Sequence, residues 1–126
     1  MKNTILLIED NEQNSYLTTF ILESNGYTVV TAQDGMTGIA CAQSLVPDLI
    51  LLDIQLPMMD GYAVAAAIRN IEALNAVPIV AVTSYAMVGD REKCLAAGCN
   101  GYIEKPINPE TFLDEVTHFI VAKPID

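Results

Sequence analysis

Asp48-Leu49-Ile50-Leu51-Leu52-Asp53 is the stretch on which the fold turns. Its unbroken aliphatic run reads as a central strand with both faces covered. The acid at its tip, Asp53, is poorly explained by packing. Burying an ionised carboxylate is costly unless something pairs with it. Ile54-Gln55-Leu56-Pro57 follows at once. Candidate partners stand at the ends of other apolar runs. Glu9 and Asp10 follow Ile5-Leu6-Leu7-Ile8, Thr83 follows Ile79-Val80-Ala81-Val82, and Lys105 follows Tyr102-Ile103-Glu104. Acids, a hydroxyl and an amine at four strand ends suggest a metal-and-phosphate site rather than a core.

Outward from that strand, five strands alternate with five helices. The spacing predicts strands at Thr4–Ile8, Thr28–Thr31, Leu49–Leu52, Ile79–Thr83 and Gly101–Ile103. The second is shorter and less apolar, which suits a sheet edge. The first helix is expected from Gln13 to Ser24, with Leu17, Phe20 and Ile21 on its buried stripe and Asn25-Gly26 as its stop. The second runs from Gly35 to Leu45, before Pro47. The third, Gly61 to Ile71, is alanine-rich and strongly helical by propensity. The fourth lies within Gly89–Ala97 and ends at Gly98. The fifth starts at Pro109 behind the cap Asn108 and buries Phe112, Leu113, Val116, Phe119 and Ile120. This alternation predicts a doubly wound α/β domain, whose ligands bind at the carboxyl ends of the strands.

The 126 residues fit a single domain with one core, read here as residues 1–126. A formal net charge of −10, from 16 acids against 6 bases, argues against nucleic-acid binding and against docking on an anionic membrane. Cys41, Cys94 and Cys99 form no CxxC pair and read as small buried hydrophobes of a reducing cytosol. No signal peptide and no bilayer-spanning run is visible. There is no GxxxxGK[ST] or GxGxxG nucleotide motif.

Four motifs in order carry a resemblance: Ile-Glu-Asp-Asn-Glu at 8–12, Asp-Ile-Gln-Leu-Pro at 53–57 with Met-Asp-Gly at 59–61, Ala-Val-Thr-Ser at 81–84, and Lys-Pro at 105–106. Together they resemble the response-regulator receiver domains of two-component signalling, over essentially the whole chain. Within that family the look is closest to stand-alone receivers of the DivK type. Ala-Met-x-Gly-Asp at 86–90 contributes to that likeness and also occurs in receivers fused to hybrid sensor kinases. The resemblance implies a flavodoxin-like, CheY-like (βα)5 three-layer sandwich with parallel strand order 2-1-3-4-5.

It also implies roles. Asp53 matches the phosphoacceptor; a carboxylate attacking a phosphoryl group gives an acyl phosphate. Glu9 and Asp10 match the Mg2+-binding acid pair, with Asp10 the direct ligand, Glu9 acting through water, and the Gln55 backbone carbonyl completing the protein ligands. Glu9 stands where many relatives carry aspartate. Lys105 matches the lysine that pairs with Asp53 and then with a phosphoryl oxygen, and the Lys105-Pro106 bond is commonly cis in the family. Thr83 matches the switch hydroxyl. Tyr102 matches the aromatic rotamer switch, though a static half-buried aromatic reads equally from its position. Tyr85 is expected to lie over the site and slow attack by water.

The resemblance makes the chain a cytoplasmic switch, not a multiple-turnover enzyme. Its donor is a histidine kinase or phosphotransfer protein, and its output is a protein contact through the fourth helix, fifth strand and fifth helix. Two alternatives differ in setting or class: a receiver of a hybrid sensor histidine kinase, and a Mg2+-dependent aspartyl-phosphate hydrolase. Hydrolases of the haloacid dehalogenase type usually carry an acid two residues after the nucleophile, where this chain has Gln55. His118 reads as a solvated surface histidine. Asp34, Asp60 and Asp90 read as turn and helix-start residues, and Met58 and Met59 as packing or lid residues.

Overall fold

Alternation along the strands decides the layers. In a computed structural model, which describes residues 3–84 and 89–120, the order is β1 (Thr4–Ile8), α1 (Glu12–Glu23), β2 (Thr28–Ala32), α2 (Gly35–Leu45), β3 (Leu49–Asp53) and α3 (Gly61–Arg69). After a short 3-10 turn (Glu72–Leu74) come β4 (Ile79–Thr83), α4 (Asp90–Ala96), β5 (Gly101–Glu104) and α5 (Pro109–Phe119). The five strands form one parallel sheet in the order β2-β1-β3-β4-β5, with β2 at an edge as the sequence indicates. Leu6, Ile8, Ile50, Leu52, Ile79 and Ala81 pack with Val64 and Ile68 of α3 and Cys94 of α4. Their neighbours Ile5, Leu7, Leu49, Leu51, Val80 and Val82 pack on the opposite side with Ile21, Leu22, Phe112 and Val116 of α1 and α5. A period of two thus sends each continuous aliphatic run into two cores.

The helices start where side chains relieve unpaired amides. Asn11 Oδ1 accepts from the Asn14 amide at 3.0 Å, Asp34 Oδ1 from Thr37 at 2.8 Å, Asp60 Oδ1 from Ala63 at 2.9 Å, and Asn108 Oδ1 from Glu110 at 3.0 Å. The Asp34 and Asp60 readings hold. At the other end of α4, Gly98 takes φ 109°, Cys99 N–H bonds Cys94 C=O at 2.9 Å, and Gly98 N–H bonds Leu95 C=O at 3.1 Å. This is a Schellman stop, in which the buried Cys94 and Cys99 supply the usual apolar contact.

Some boundaries and one helix face differ from expectation. β2, β3 and β5 each run one residue further, to Ala32, Asp53 and Glu104. The third helix stops at Arg69, because Asn70 closes it and the buried Leu74 draws the chain into the 3-10 turn. On α1 the buried face is Thr18, Ile21 and Leu22, not Leu17, Phe20 and Ile21. Leu22 is fully buried, and with Ile21 it sets the phase of the helix; Thr18, four residues before it, is carried inward. Phe20 is left 59% exposed. On α5, Phe112 and Val116 are buried, with Leu113, Phe119 and Ile120 half-buried against them. Tyr85 lies outside the described residues.

Candidate phosphoacceptor site

The carboxyl end of the sheet gathers the polar residues that the strands deliver. Asp53 closes β3 and is only 3% exposed, and Glu9, one residue past β1, is 5% exposed. The Glu9 amide continues the sheet by donating to Ala32 C=O at 2.9 Å, which fixes where its side chain leaves the backbone. One carboxylate oxygen each from Glu9, Asp10 and Asp53 lies within 4.8 Å of the others. Asp10 is the exposed member of the three.

Lys105 answers this charge. Its Nζ lies 2.8 Å from Glu9 Oε1 and 3.2 Å from Asp53 Oδ2. The Lys105-Pro106 peptide is cis, as the resemblance implies, and the Lys105 amide donates to Thr83 C=O at 2.8 Å. The other Asp53 oxygen, Oδ1, accepts from the Gln55 amide at 3.0 Å. Asp53 is therefore held through both oxygens, one by a backbone amide and one by an ammonium.

Burial first, and the neighbouring Asp53 carboxylate second, push Glu9 up to about 7 against the pull of Lys105. Burial alone disfavours the Lys105 ammonium, but the Glu9 and Asp53 carboxylates outweigh it and raise its pKa. The pocket thus carries more negative charge than one lysine offsets. Convergent carboxylate oxygens are hard donors of the type Mg2+ or Ca2+ takes, and the excess negative charge fits a small divalent cation. Acids and cation together suit the handling of a phosphoryl group.

Thr83 is buried at the end of β4 and shares the alternation of Ile79 and Ala81, on the α3–α4 side. Tyr102 pairs with Ala81 in register and packs against that same core, half-buried. Thr83 and Tyr102 therefore lie on one side of two adjoining strands. Asp53 follows the alternation of Leu49 and Leu51, toward the α1–α5 side.

The sequence reading brought Glu9, Asp10, Asp53 and Lys105 to one place, and the structure places them together. It missed Ser84 as a partner: Ser84 Oγ donates to Gln55 Oε1 at 3.0 Å across the mouth between the β3 and β4 loops. It also missed the α1 wall. A cavity of about 240 Å3 beside the acids is lined by Asp10, Ser15, Tyr16 and Thr19, with Tyr16 74% exposed. Tyr16 carries no local sequence signal, because only the phase of α1 turns it outward.

The response regulator receiver domain family matches residues 5–117. The polar-differentiation response regulator DivK of Brucella ovis is 36% identical over 120 residues, covering 95% of this chain and 98% of that protein. The receiver domain of a sensor histidine kinase from Pseudomonas aeruginosa, solved with a magnesium ion coordinated in its active-site cleft, has a TM-score of 0.87 and 38% identity, covering 95% of this chain and 98% of that one. Chemotaxis protein CheY4 of Vibrio cholerae has a TM-score of 0.90 and 28% identity, covering 94% and 99%.

Proposed function

The chain belongs to the response regulator receiver family, and on that premise we propose that Asp53 takes a phosphoryl group from a phosphohistidine donor in a Mg2+-dependent step. The observation that carries this reading is the Lys105 ammonium set between Glu9 and Asp53, beside the three converging carboxylates. An Asp53 oxygen bonds phosphorus as the donor P–N bond breaks, and the electron pair leaves with the imidazole nitrogen. Bound through Asp10, Asp53 and the Gln55 carbonyl, with Glu9 behind, Mg2+ would offset charge on the transferring group. Lys105 then exchanges its Asp53 contact for a phosphoryl oxygen.

Thr83 supplies the hydroxyl that senses the new phosphoryl oxygen, and Tyr102, on the same side of the sheet, takes the space it leaves. The phosphoryl group shifts the population toward this inward pair by the difference in its interaction with the two states. Output is a protein contact through α4, β5 and α5. The donor is a histidine kinase or phosphotransfer protein in the cytoplasm, and residues 1–126 act as one receiver domain. No helix among the described residues is long and apolar enough to cross a membrane.

The Gln55 side chain bonds Ser84 and offers no titrating proton two residues after Asp53, which supports a single-turnover switch over a hydrolase. The likeness to a sensor-kinase receiver favours one further setting for the same chemistry, with the receiver carried on the kinase chain. Intact mass after incubation with acetyl phosphate and Mg2+ tests the chemistry. One phosphoryl adduct is expected, absent in Asp53→Asn and in EDTA. An unmodified parent with intact fold, with this donor and with a phosphohistidine protein, would overturn it.

A further inference from the structure

The outer side of β5 and α5 holds a groove of about 570 Å3. Pro106, Tyr102 and Phe119 give it apolar surface, and Glu104, Asp114 and Glu115 line it with carboxylates. Among the described residues no Lys or Arg lines it. Among the described residues both ion pairs belong to Lys105, so these three exposed carboxylates have no salt-bridge partner there. Beyond the shared wall of Tyr102, His118 and Phe119 lies a second groove of about 300 Å3, in which Arg91 is the one Lys or Arg among the described lining residues. The two grooves thus differ in charge: the first is acidic, and the second carries one guanidinium.

We propose that this groove docks a cationic amphipathic segment of a partner protein, with Lys or Arg against Glu104, Asp114 and Glu115 and apolar side chains against Pro106 and Phe119. The inference rests on the receiver reading of this face as the output surface and adds the partner's chemistry. Complementary charge fixes partner and direction more than it adds affinity. The Phe119 ring lies directly against Gly101, where any Cβ would collide with it, so the apolar wall is set by the sheet edge itself. An opposite orientation would place the partner's cations on Arg91.

The test uses a fluorescently labelled amphipathic Lys/Leu peptide and anisotropy at two salt concentrations. The groove variant Glu104→Gln/Asp114→Asn/Glu115→Gln is compared with a variant of equal net charge, Glu12→Gln/Glu23→Gln/Glu72→Gln, altered at exposed sites elsewhere. We expect the groove variant alone to lose about tenfold in affinity, with the parent's binding weakened by salt. Equal losses in both variants, or none in either, would overturn the proposal. Concentration-dependent dimerisation abolished by the groove variant would assign the face to a second copy and overturn it too. Acetyl-phosphate adducts are measured on the same samples. A missing adduct strikes the receiver chemistry, while peptide affinity of the unphosphorylated chain is read without it.

Discussion

At Glu9 a single side chain links stability to pH. Its folded pKa, raised to about 7 from 4.5, means that the native state holds this proton more tightly than the unfolded chain. The stability it contributes is full below the unfolded value and is lost as pH rises through the folded one. Relative to Glu9→Gln, the metal-free parent should therefore lose a few kcal/mol between about pH 4.5 and 7. Urea unfolding in EDTA across that range checks this, and a difference that stays flat or grows with pH would contradict it. Mg2+ should flatten the trend, since the cation competes with the proton. The residues of the site were legible because acids and a lysine at strand ends have no packing explanation. Ser84 and Tyr16 were not, because a hydroxyl in a loop and a tyrosine on a helix look the same whether they face the site or solvent.

At the scale of elements, local chemistry placed three helix starts well: Asp34, Asp60 and Asn108 are helix-start residues in sequence and caps in structure, whereas α1 begins at Glu12 behind the cap Asn11, one residue before the expected Gln13. The phase of α1 was harder to read, since Leu17, Phe20, Ile21 and Leu22 leave two apolar stripes open and tertiary packing chose one. The ending of α2 hid a strained residue. Val46, β-branched and about half exposed, caps the helix in the left-handed region at φ 45°. Val46→Gly removes that strain and gives back part of the gain as chain entropy, for a net stabilisation of up to about 1 kcal/mol. A lower urea midpoint in the variant would contradict the strain. The end of α3 hid a tie. Arg69 donates to Gly98 C=O at 2.8 Å, Leu74 C=O at 2.9 Å and Asn100 Oδ1 at 2.8 Å, joining α3 to the turns before β4 and β5. Arg69→Ala should cost about 2 kcal/mol, with Arg69→Lys a poor rescue because one ammonium cannot span the fork. Loss of less than half that in chemical denaturation would show the tie to be idle. Phosphoryl uptake should survive, as the tie lies at the opposite end of the sheet.

For the whole molecule, the fold was readable because three aliphatic runs with helices between them admit few arrangements other than a parallel sheet covered on both sides. That sheet sorts the polar residues of the strand ends by alternation. Asp53 follows the α1–α5 parity, and the Thr83–Tyr102 pair follows the other, on the side that α3 and α4 cover. The acidic groove at β5 and α5 came from no motif; it arises from where α5 sets Asp114 and Glu115 beside β5. The central claim is that Asp53 itself receives the phosphoryl group. Borohydride reduction of the acetyl-phosphate-treated protein, followed by peptide mass mapping, tests it most directly, because an aspartyl phosphate is reduced to homoserine. Homoserine is expected at position 53, and only with Mg2+ present. Homoserine at Asp10 or another acid, or a stable phosphoryl group on Thr83 or Ser84, would contradict it.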